Sequence, residues 1–161
     1  MEKILDFLCN HLIDLAELKY YFAILLLFCL VVSLYDIKYK RIPDWILAIF
    51  VIIRCVLFLP PFNQTFLYEY LFGFIFGFFI IFIPAFIMNQ PMGGDIKFSA
   101  VLGFYLGIGW LSLALVVSLI SFIIVSVILK CVKKFNFKTD TLAYGPFLGL
   151  GVCVCGLVYI L

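Results

Sequence analysis

The sequence contains little charge, one histidine and no paired cysteine motif. Asp, Glu, Lys and Arg make up 12% of the 161 residues and the net charge is +2, which argues against a nucleic-acid partner. Six cysteines are present, but none forms a Cys-x-x-Cys pair. Because zinc sites are built from closely spaced cysteine and histidine residues, we expect no metal. No motif for another cofactor is visible, so we expect none.

Apolar residues dominate the chain. Hydrophobic side chains make up 67% of the sequence and the mean hydropathy is +1.28, whereas about half of a soluble domain is apolar. These values predict an all-α integral membrane protein, with residues 1–161 forming a single membrane-embedded domain. The first 17 residues carry four acidic side chains and one lysine, so they lack the basic start of a signal peptide. Leucines at helical spacing predict an amphipathic interfacial helix over residues 1–19.

Six transmembrane helices are predicted in residues 20–161. The longest uncharged run extends from Phe98 to Leu129 and would measure roughly 48 Å as one helix, against about 30 Å of hydrocarbon. The glycines between Gly103 and Trp110 are the natural break in this run. The six predicted helices cover residues 20–35, 43–59, 70–94, 95–108, 111–129 and 141–161.

The predicted break also decides the topology. With six helices, segments 36–42, 93–97 and 130–140 lie on one side of the membrane. This side carries eight of the eleven Lys and Arg residues, and the positive-inside rule therefore makes it cytoplasmic. A single uninterrupted helix would instead move the lysine-rich segment 130–140 to the opposite side.

Asp36 and Asp95 are the candidate catalytic residues. Each stands where an apolar segment meets a polar one, and an ionisable group next to hydrocarbon is costly and usually functional. The predicted topology puts both on the same side. Two carboxylates that share a site cannot both ionise cheaply, so one keeps a proton while the other accepts one. Gly93 and Gly94, just before Asp95, would let another backbone approach closely, such as an extended substrate strand.

A non-enzymatic interpretation of the same residues stays open. Aspartate beside lysine or arginine at a membrane surface is also common as a topology or headgroup feature. The alternative function is therefore a membrane transporter or assembly factor whose aspartates bind protons or cations.

Three sequence elements resemble those of a known family. They are Asp36 followed by Ile42-Pro43, the segment Gly93-Gly94-Asp95-Ile96-Lys97, and the segment Tyr144-Gly145-Pro146-Phe147-Leu148. In this order and spacing they resemble the type IV prepilin peptidases, which are GxGD-type aspartic membrane peptidases. The resemblance implies that Asp36 and Asp95 are the catalytic pair. It also implies that the substrate is the basic leader peptide of a prepilin or pseudopilin, cleaved at the cytoplasmic face of the bacterial inner membrane.

Two positions depart from the family pattern, and one family element is not matched. Asp44 stands where the family usually has asparagine after Ile-Pro, and Met92 stands where it usually has the first glycine of Gly-x-Gly-Asp. Both leave the two carboxylates in place, so we interpret them as variation that tunes substrate choice. Larger members carry an N-methyltransferase module with Cys-x-x-Cys pairs, which this sequence does not match. The chain resembles the short forms found in Flp pilus or competence systems.

Cysteine labelling should place residues 36–42, 93–97 and 130–140 on the cytoplasmic side and both termini outside. This arrangement follows from six helices of alternating direction with the basic segments inside. Single-cysteine variants are treated with a membrane-impermeant thiol reagent before and after the cells are opened. Labelling of residues 130–140 from outside intact cells would contradict the break and, with it, the six-helix topology.

Overall fold

The computed structural model describes residues 22–57, 64–87, 93–133 and 143–160, and in these ranges the chain forms helices and no strand. The described helices are α1 (Phe22–Tyr39), α2 (Asp44–Leu57), α3 (Gln64–Ile87), α4 (Gly93–Lys133) and α5 (Gly145–Ile160). The prediction of an all-α protein is confirmed for this part of the chain. The interfacial helix predicted over residues 1–19 lies outside the described residues.

Three of the described helices are long and apolar enough to cross a membrane. They contain the ranges Phe22–Tyr39, Tyr68–Ile87 and Gly93–Val132, while α5 is apolar but shorter. The outer face of α2 is a stripe of exposed apolar side chains at helical spacing, formed by Trp45, Ile49, Ile52 and Val56. An apolar outer surface is typical of a helix that faces lipid. The total of six spans stays a prediction.

The predicted bounds of the first, third and sixth helices were wrong. The sixth begins at Gly145 rather than at residue 141, and in the other two a charged residue does not mark the helix end. α1 continues to Tyr39, so Asp36 lies within its last turn rather than in the loop that follows. The third helix covers Gln64–Ile87 rather than 70–94, and Glu69, which set the predicted start, lies inside it. A charge marks the edge of the hydrocarbon, whereas a helix ends where its backbone hydrogen bonds end.

α4 turns back on itself at Gly107. This glycine has φ 73° and ψ 174°, which interrupts the helix and which few residues other than glycine adopt without strain. Leu111 consequently lies against Gly103, where an added Cβ would come within 3.0 Å of the leucine side chain. In an uninterrupted helix these residues would be separated by about 12 Å along the axis. The break predicted in this glycine-rich region is confirmed, and α4 consists of an outgoing half (93–106) and a returning half (108–133).

Small residues allow α3 to pack backbone to backbone against the outgoing half of α4. Gly73 and Gly77 lie one turn apart on α3. A Cβ added at Gly73 would overlap the carbonyl oxygen of Gly103, and one added at Gly77 would overlap that of Ser99. Within lipid, helices gain little from the hydrophobic effect, so close contacts between small residues hold them together.

Aromatic and cationic contacts fix α2 to its neighbours. Phe50 stacks on Phe28 of α1 with ring centroids 3.3 Å apart, and its carbonyl oxygen accepts a hydrogen bond from the Tyr105 hydroxyl of α4 over 2.7 Å. Arg54 is buried, with its guanidinium 4.5 Å from the ring centroid of Tyr70 and 5.2 Å from that of Tyr105. Such cation–π contacts stabilise a charge that is removed from water.

α5 packs between α1 and the returning half of α4. Gly149 faces α1, where an added Cβ would lie 2.9 Å from the Ser33 hydroxyl oxygen. Gly151 faces α4, where an added Cβ would overlap the carbonyl oxygen of Ala114. These close contacts fix the start of α5 beside the end of α1.

Gly103→Ala should lower the midpoint of thermal unfolding in detergent, because its Cβ has no room against the Gly73 carbonyl group. Overpacking of this kind costs roughly 1–3 kcal/mol, which exceeds the ~0.5–1 kcal/mol that alanine gains over glycine in a helix. Gly109→Ala is the matched control, since nothing lies within 4 Å of its added Cβ. Its midpoint should stay level or rise. Equal midpoints for the two variants would contradict the tight contact between α3 and α4.

Candidate active site

Asp36 lies in the last turn of α1 with 6% of its surface exposed. The helix ends where the Lys40 N–H donates to the Asp36 carbonyl oxygen over 2.8 Å. Lys40 has a left-handed φ of 50°, a conformation typical of the residue that follows a helix. Lys38 and Arg41, on either side of the end of α1, are exposed to solvent. Asp36 therefore lies at the boundary between the apolar helix and a basic surface.

Asp95 lies half-buried in the first turn of α4. It is close enough to Asp36 for the two carboxylates to repel each other when both are charged. Within the described ranges, no group of three His, Cys, Asp or Glu residues is arranged to hold a metal ion. The structure thus brings the two predicted site residues together as a pair of carboxyl groups. Such a pair, with one proton between its members, can perform acid–base chemistry.

The start of α5 provides a hydrogen-bond donor for Asp36. The backbone N–H of Gly145 donates to Asp36 Oδ2 over 2.9 Å in a buried bond. Tyr144 precedes the helix, and its carbonyl oxygen accepts the first helical bonds, from Phe147 (3.0 Å) and Leu148 (3.3 Å). The carboxylate therefore lies at the N-terminus of α5, where the helix dipole favours negative charge. A Cβ on Gly145 would lie 2.7 Å from Oδ2, so a larger residue would force the two apart.

The Ile42-Pro43 segment packs against the first turn of α4. A Cβ added at Gly94 would come within 3.2 Å of the Ile42 Cβ and 3.3 Å of its backbone nitrogen. The position of a side chain on Gly94 is therefore occupied by the protein's own chain, while the glycine itself is partly exposed. The approach of a substrate strand to this segment stays a prediction. Gly93 is exposed, and a Cβ added there meets nothing within 4 Å. Of the two glycines, Gly93 has open space at its side-chain position, and Gly94 has Ile42 there.

Lys97 pairs with Asp44. Its ammonium nitrogen lies 2.7 Å from both carboxylate oxygens of Asp44, which links the start of α2 to α4. The side chains are 51% (Lys97) and 71% (Asp44) exposed, and exposed ion pairs contribute about 0.2–1 kcal/mol. The negative charge that Asp44 adds near the site is thus offset by the lysine that follows Asp95.

Tyr144 lies beside Asp95. Its ring contacts that of Phe122 edge to face, with centroids 5.4 Å apart, and its hydroxyl oxygen accepts a hydrogen bond from Ser118 over 3.4 Å. Burial raises the pKa of the Tyr144 phenol, the Ser118 bond opposes this rise, and the charge of Asp95 adds to it. The phenol therefore stays protonated at neutral pH. Ser118 and Phe122 reach Tyr144 because α4 reverses at Gly107.

Sequence reasoning finds the Gly145-Pro146 pair but misses its role. Proline in the first turn of a helix is a known start signal, but the prediction began the last helix at residue 141, whereas α5 begins at Gly145. The bond to Asp36 is not readable, because it joins residues 109 positions apart. The partnership of Lys97 with Asp44, 53 positions apart, is hidden for the same reason.

Comparison with known proteins identifies a matching family. The family model described as the type IV leader peptidase family matches residues 23–130. This range is more than half of the chain and includes both Asp36 and Asp95. No curated protein and no solved structure matches the chain.

Gly94→Val should destabilise the protein by roughly 1–3 kcal/mol, because the added side chain must displace Ile42 from the first turn of α4. Gly93→Val introduces the same side chain one residue earlier, at an exposed and open position, so its unfolding free energy should change little. The measurement is unfolding by a denaturing detergent, followed by circular dichroism. Equal losses in the two variants would contradict the packing of Ile42 on Gly94.

Proposed function

The chain belongs to the type IV leader peptidase family and is therefore a membrane peptidase; we propose that it is an aspartic endopeptidase that removes the basic leader peptide of type IV prepilins or pseudopilins. The proposal is carried by one observation, the approach of Asp36 and Asp95 at one end of the helices. In a peptidase, such a pair can activate water and protonate the leaving group. Family membership disfavours the alternative of a transporter or assembly factor.

The proposed reaction uses two carboxyl groups that share one proton. The ionised group takes a proton from water, and the water oxygen attacks the carbonyl carbon of the scissile peptide bond. The protonated group gives its proton to the carbonyl oxygen, which yields a tetrahedral diol. The first group then protonates the amide nitrogen as the C–N bond breaks, while a diol hydroxyl returns a proton to the second. One water is consumed, and the pair ends in its starting state.

The location we propose is the bacterial inner membrane, with six spans and the site on the cytoplasmic side. The end of the helices that holds the two aspartates also carries exposed Lys38 and Lys97. The reversal at Gly107 supports the six spans, because it directs the returning half of α4, with Lys130, back toward this end. The positive-inside rule favours the cytoplasm for a basic end. A basic leader peptide would then meet the site before it crosses the membrane.

Asp36→Asn and Asp95→Asn should each abolish leader cleavage while leaving the protein inserted and folded. Asparagine keeps the size of aspartate but can neither accept nor supply the catalytic proton. Because the two groups act as a unit, the double variant should be hardly slower than either single variant. The measurement is cleavage of a purified prepilin in vesicles, followed by mass spectrometry of the products. Normal cleavage by either single variant would remove that residue from the pair.

Asp44→Asn is the matched control for these variants. It removes a carboxylate at the same end of the helices and introduces the residue that is usual in the family. Asp44 is exposed and paired with Lys97, so cleavage should stay within a factor of about five, the upper limit for an exposed ion pair. Loss of cleavage in Asp44→Asn, together with activity in Asp36→Asn, would identify Asp44 as the catalytic carboxylate.

A further inference from the structure

The two carboxylates have different surroundings. Asp36 is nearly buried and accepts the N–H of Gly145 at the start of α5. Asp95 is more exposed, and no residue of the described ranges donates a hydrogen bond to its carboxylate. The proposed reaction leaves open which group begins with the proton. Burial disfavours the charged form of both carboxylates, so the difference in their hydrogen-bond donors decides it.

We propose that Asp36 is the general base and Asp95 the general acid, and that the backbone N–H of Gly145 fixes this division of roles. The inference rests on the proposed function. Both carboxylates lie at the positive end of a helix, Asp36 at the start of α5 and Asp95 in the first turn of α4, so the helix dipole does not separate them. The N–H of Gly145 does, because a carboxylate that accepts an N–H retains its negative charge better than a carboxylate without a donor. With one proton between the two groups, the proton therefore resides on Asp95.

The start of α5 is suited to holding a single carboxylate. Pro146 has no N–H, and the N–H of Phe147 is directed to the Tyr144 carbonyl oxygen. Of the first three residues of the helix, Gly145 thus supplies the N–H that is left for Asp36. Glycine leaves room for the carboxylate, and the fixed φ of proline begins the helix directly after it.

The titratable groups on the neighbouring helices do not reverse this assignment. Asp95, from α4, opposes a second negative charge on the pair but does not select which member carries the first. Tyr144, which precedes α5, is a protonated phenol whose electrostatic contact is with Asp95. The charge of Asp95 raises the pKa of the Tyr144 phenol, and Asp36 remains the carboxylate that accepts the N–H of Gly145.

The cations near the site are paired with another residue or exposed to solvent. Lys97, two residues beyond the acid, is held by Asp44 of α2 at 2.7 Å. Lys38, Lys40 and Arg41 follow Asp36 around the end of α1, and their side chains are exposed to solvent. Exposed cations are screened by water and salt, so the assignment rests on the buried bond between the Gly145 N–H and Asp36.

This assignment specifies the atoms that move. Because Oδ2 of Asp36 is held by Gly145, Oδ1 takes the proton from the attacking water. Asp95 gives its proton to the carbonyl oxygen of the scissile bond. In the second step, Asp36 passes its new proton to the amide nitrogen as the C–N bond breaks, and the diol returns a proton to Asp95.

Gly145→Ala tests the assignment through the pH dependence of kcat/KM for prepilin cleavage. The added Cβ moves the carboxylate away from the N–H, so Asp36 takes up a proton at higher pH. Activity requires an ionised base, and the acidic limb of the profile should therefore move up by about 0.5–1 pH unit. The basic limb, which reports the acid Asp95, should stay in place. A shift of the basic limb alone, or of neither limb, would overturn the assignment.

Gly149→Ala is the matched control. Gly149 lies one turn further along α5 at the same contact with α1, where its added Cβ meets the Ser33 hydroxyl oxygen at 2.9 Å. This variant disturbs the packing of the two helices without touching either carboxylate. It should lower activity equally at all pH values, with both limbs unmoved. An acidic limb displaced as far as in Gly145→Ala would show that general packing sets the profile, and would overturn the role of Gly145.

A second measurement applies if Gly145→Ala does not fold. In the wild-type protein labelled with carboxyl-¹³C aspartate, the Asp36 signal should titrate at lower pH than the Asp95 signal. The two signals are assigned with Asp36→Asn and Asp95→Asn. The opposite order would overturn the inference. Full cleavage by both asparagine variants would instead overturn the proposed function, so the two failures are distinguishable.

Discussion

A carboxylate at the end of an apolar helix needs a donor from elsewhere in the protein, and the start of α5 supplies it to Asp36. This single bond requires the end of α1 and the start of α5 to lie at the same level. Gly149 and Gly151 maintain that level, because they let α5 approach both α1 and the returning half of α4. The returning half in turn supports Tyr144 through Ser118. A change in the packing of α5 would therefore change how well the charge of Asp36, on α1, is stabilised.

Glycine fulfils three different physical requirements in this chain. At Gly73 and Gly103 its missing Cβ allows two backbones to touch, which is the main way that helices adhere in lipid. At Gly107 its left-handed conformation reverses the direction of a helix. At Gly145 it admits a charged group to a helix start. By contrast, a Cβ added at Gly93 or Gly109 would meet nothing within 4 Å. The presence of a glycine in the sequence therefore does not show which of these requirements it meets, or whether it meets any.

The sequence predicts those features that follow from the cost of placing a group in hydrocarbon. Asp36 and Asp95 stand out because charge is rare in this chain, and the reversal near Gly107 follows from a run too long for one span. Helix ends are predicted less well, since Glu69 lies inside α3 although its charge suggests a boundary. The covering of Gly94 by Ile42 could not be predicted, because it depends on how two distant segments meet.

The reversal within α4 changes what has to cross the bilayer during insertion. The turn is made of Gly107 and its uncharged neighbours, and no charged residue occurs between Phe98 and Leu129. A helical hairpin of this composition can enter the membrane as one unit, with both of its charged ends remaining on the side from which it inserts. No ionised side chain of the hairpin then passes through hydrocarbon, and Asp95, at one end of the hairpin, stays on the side from which insertion begins.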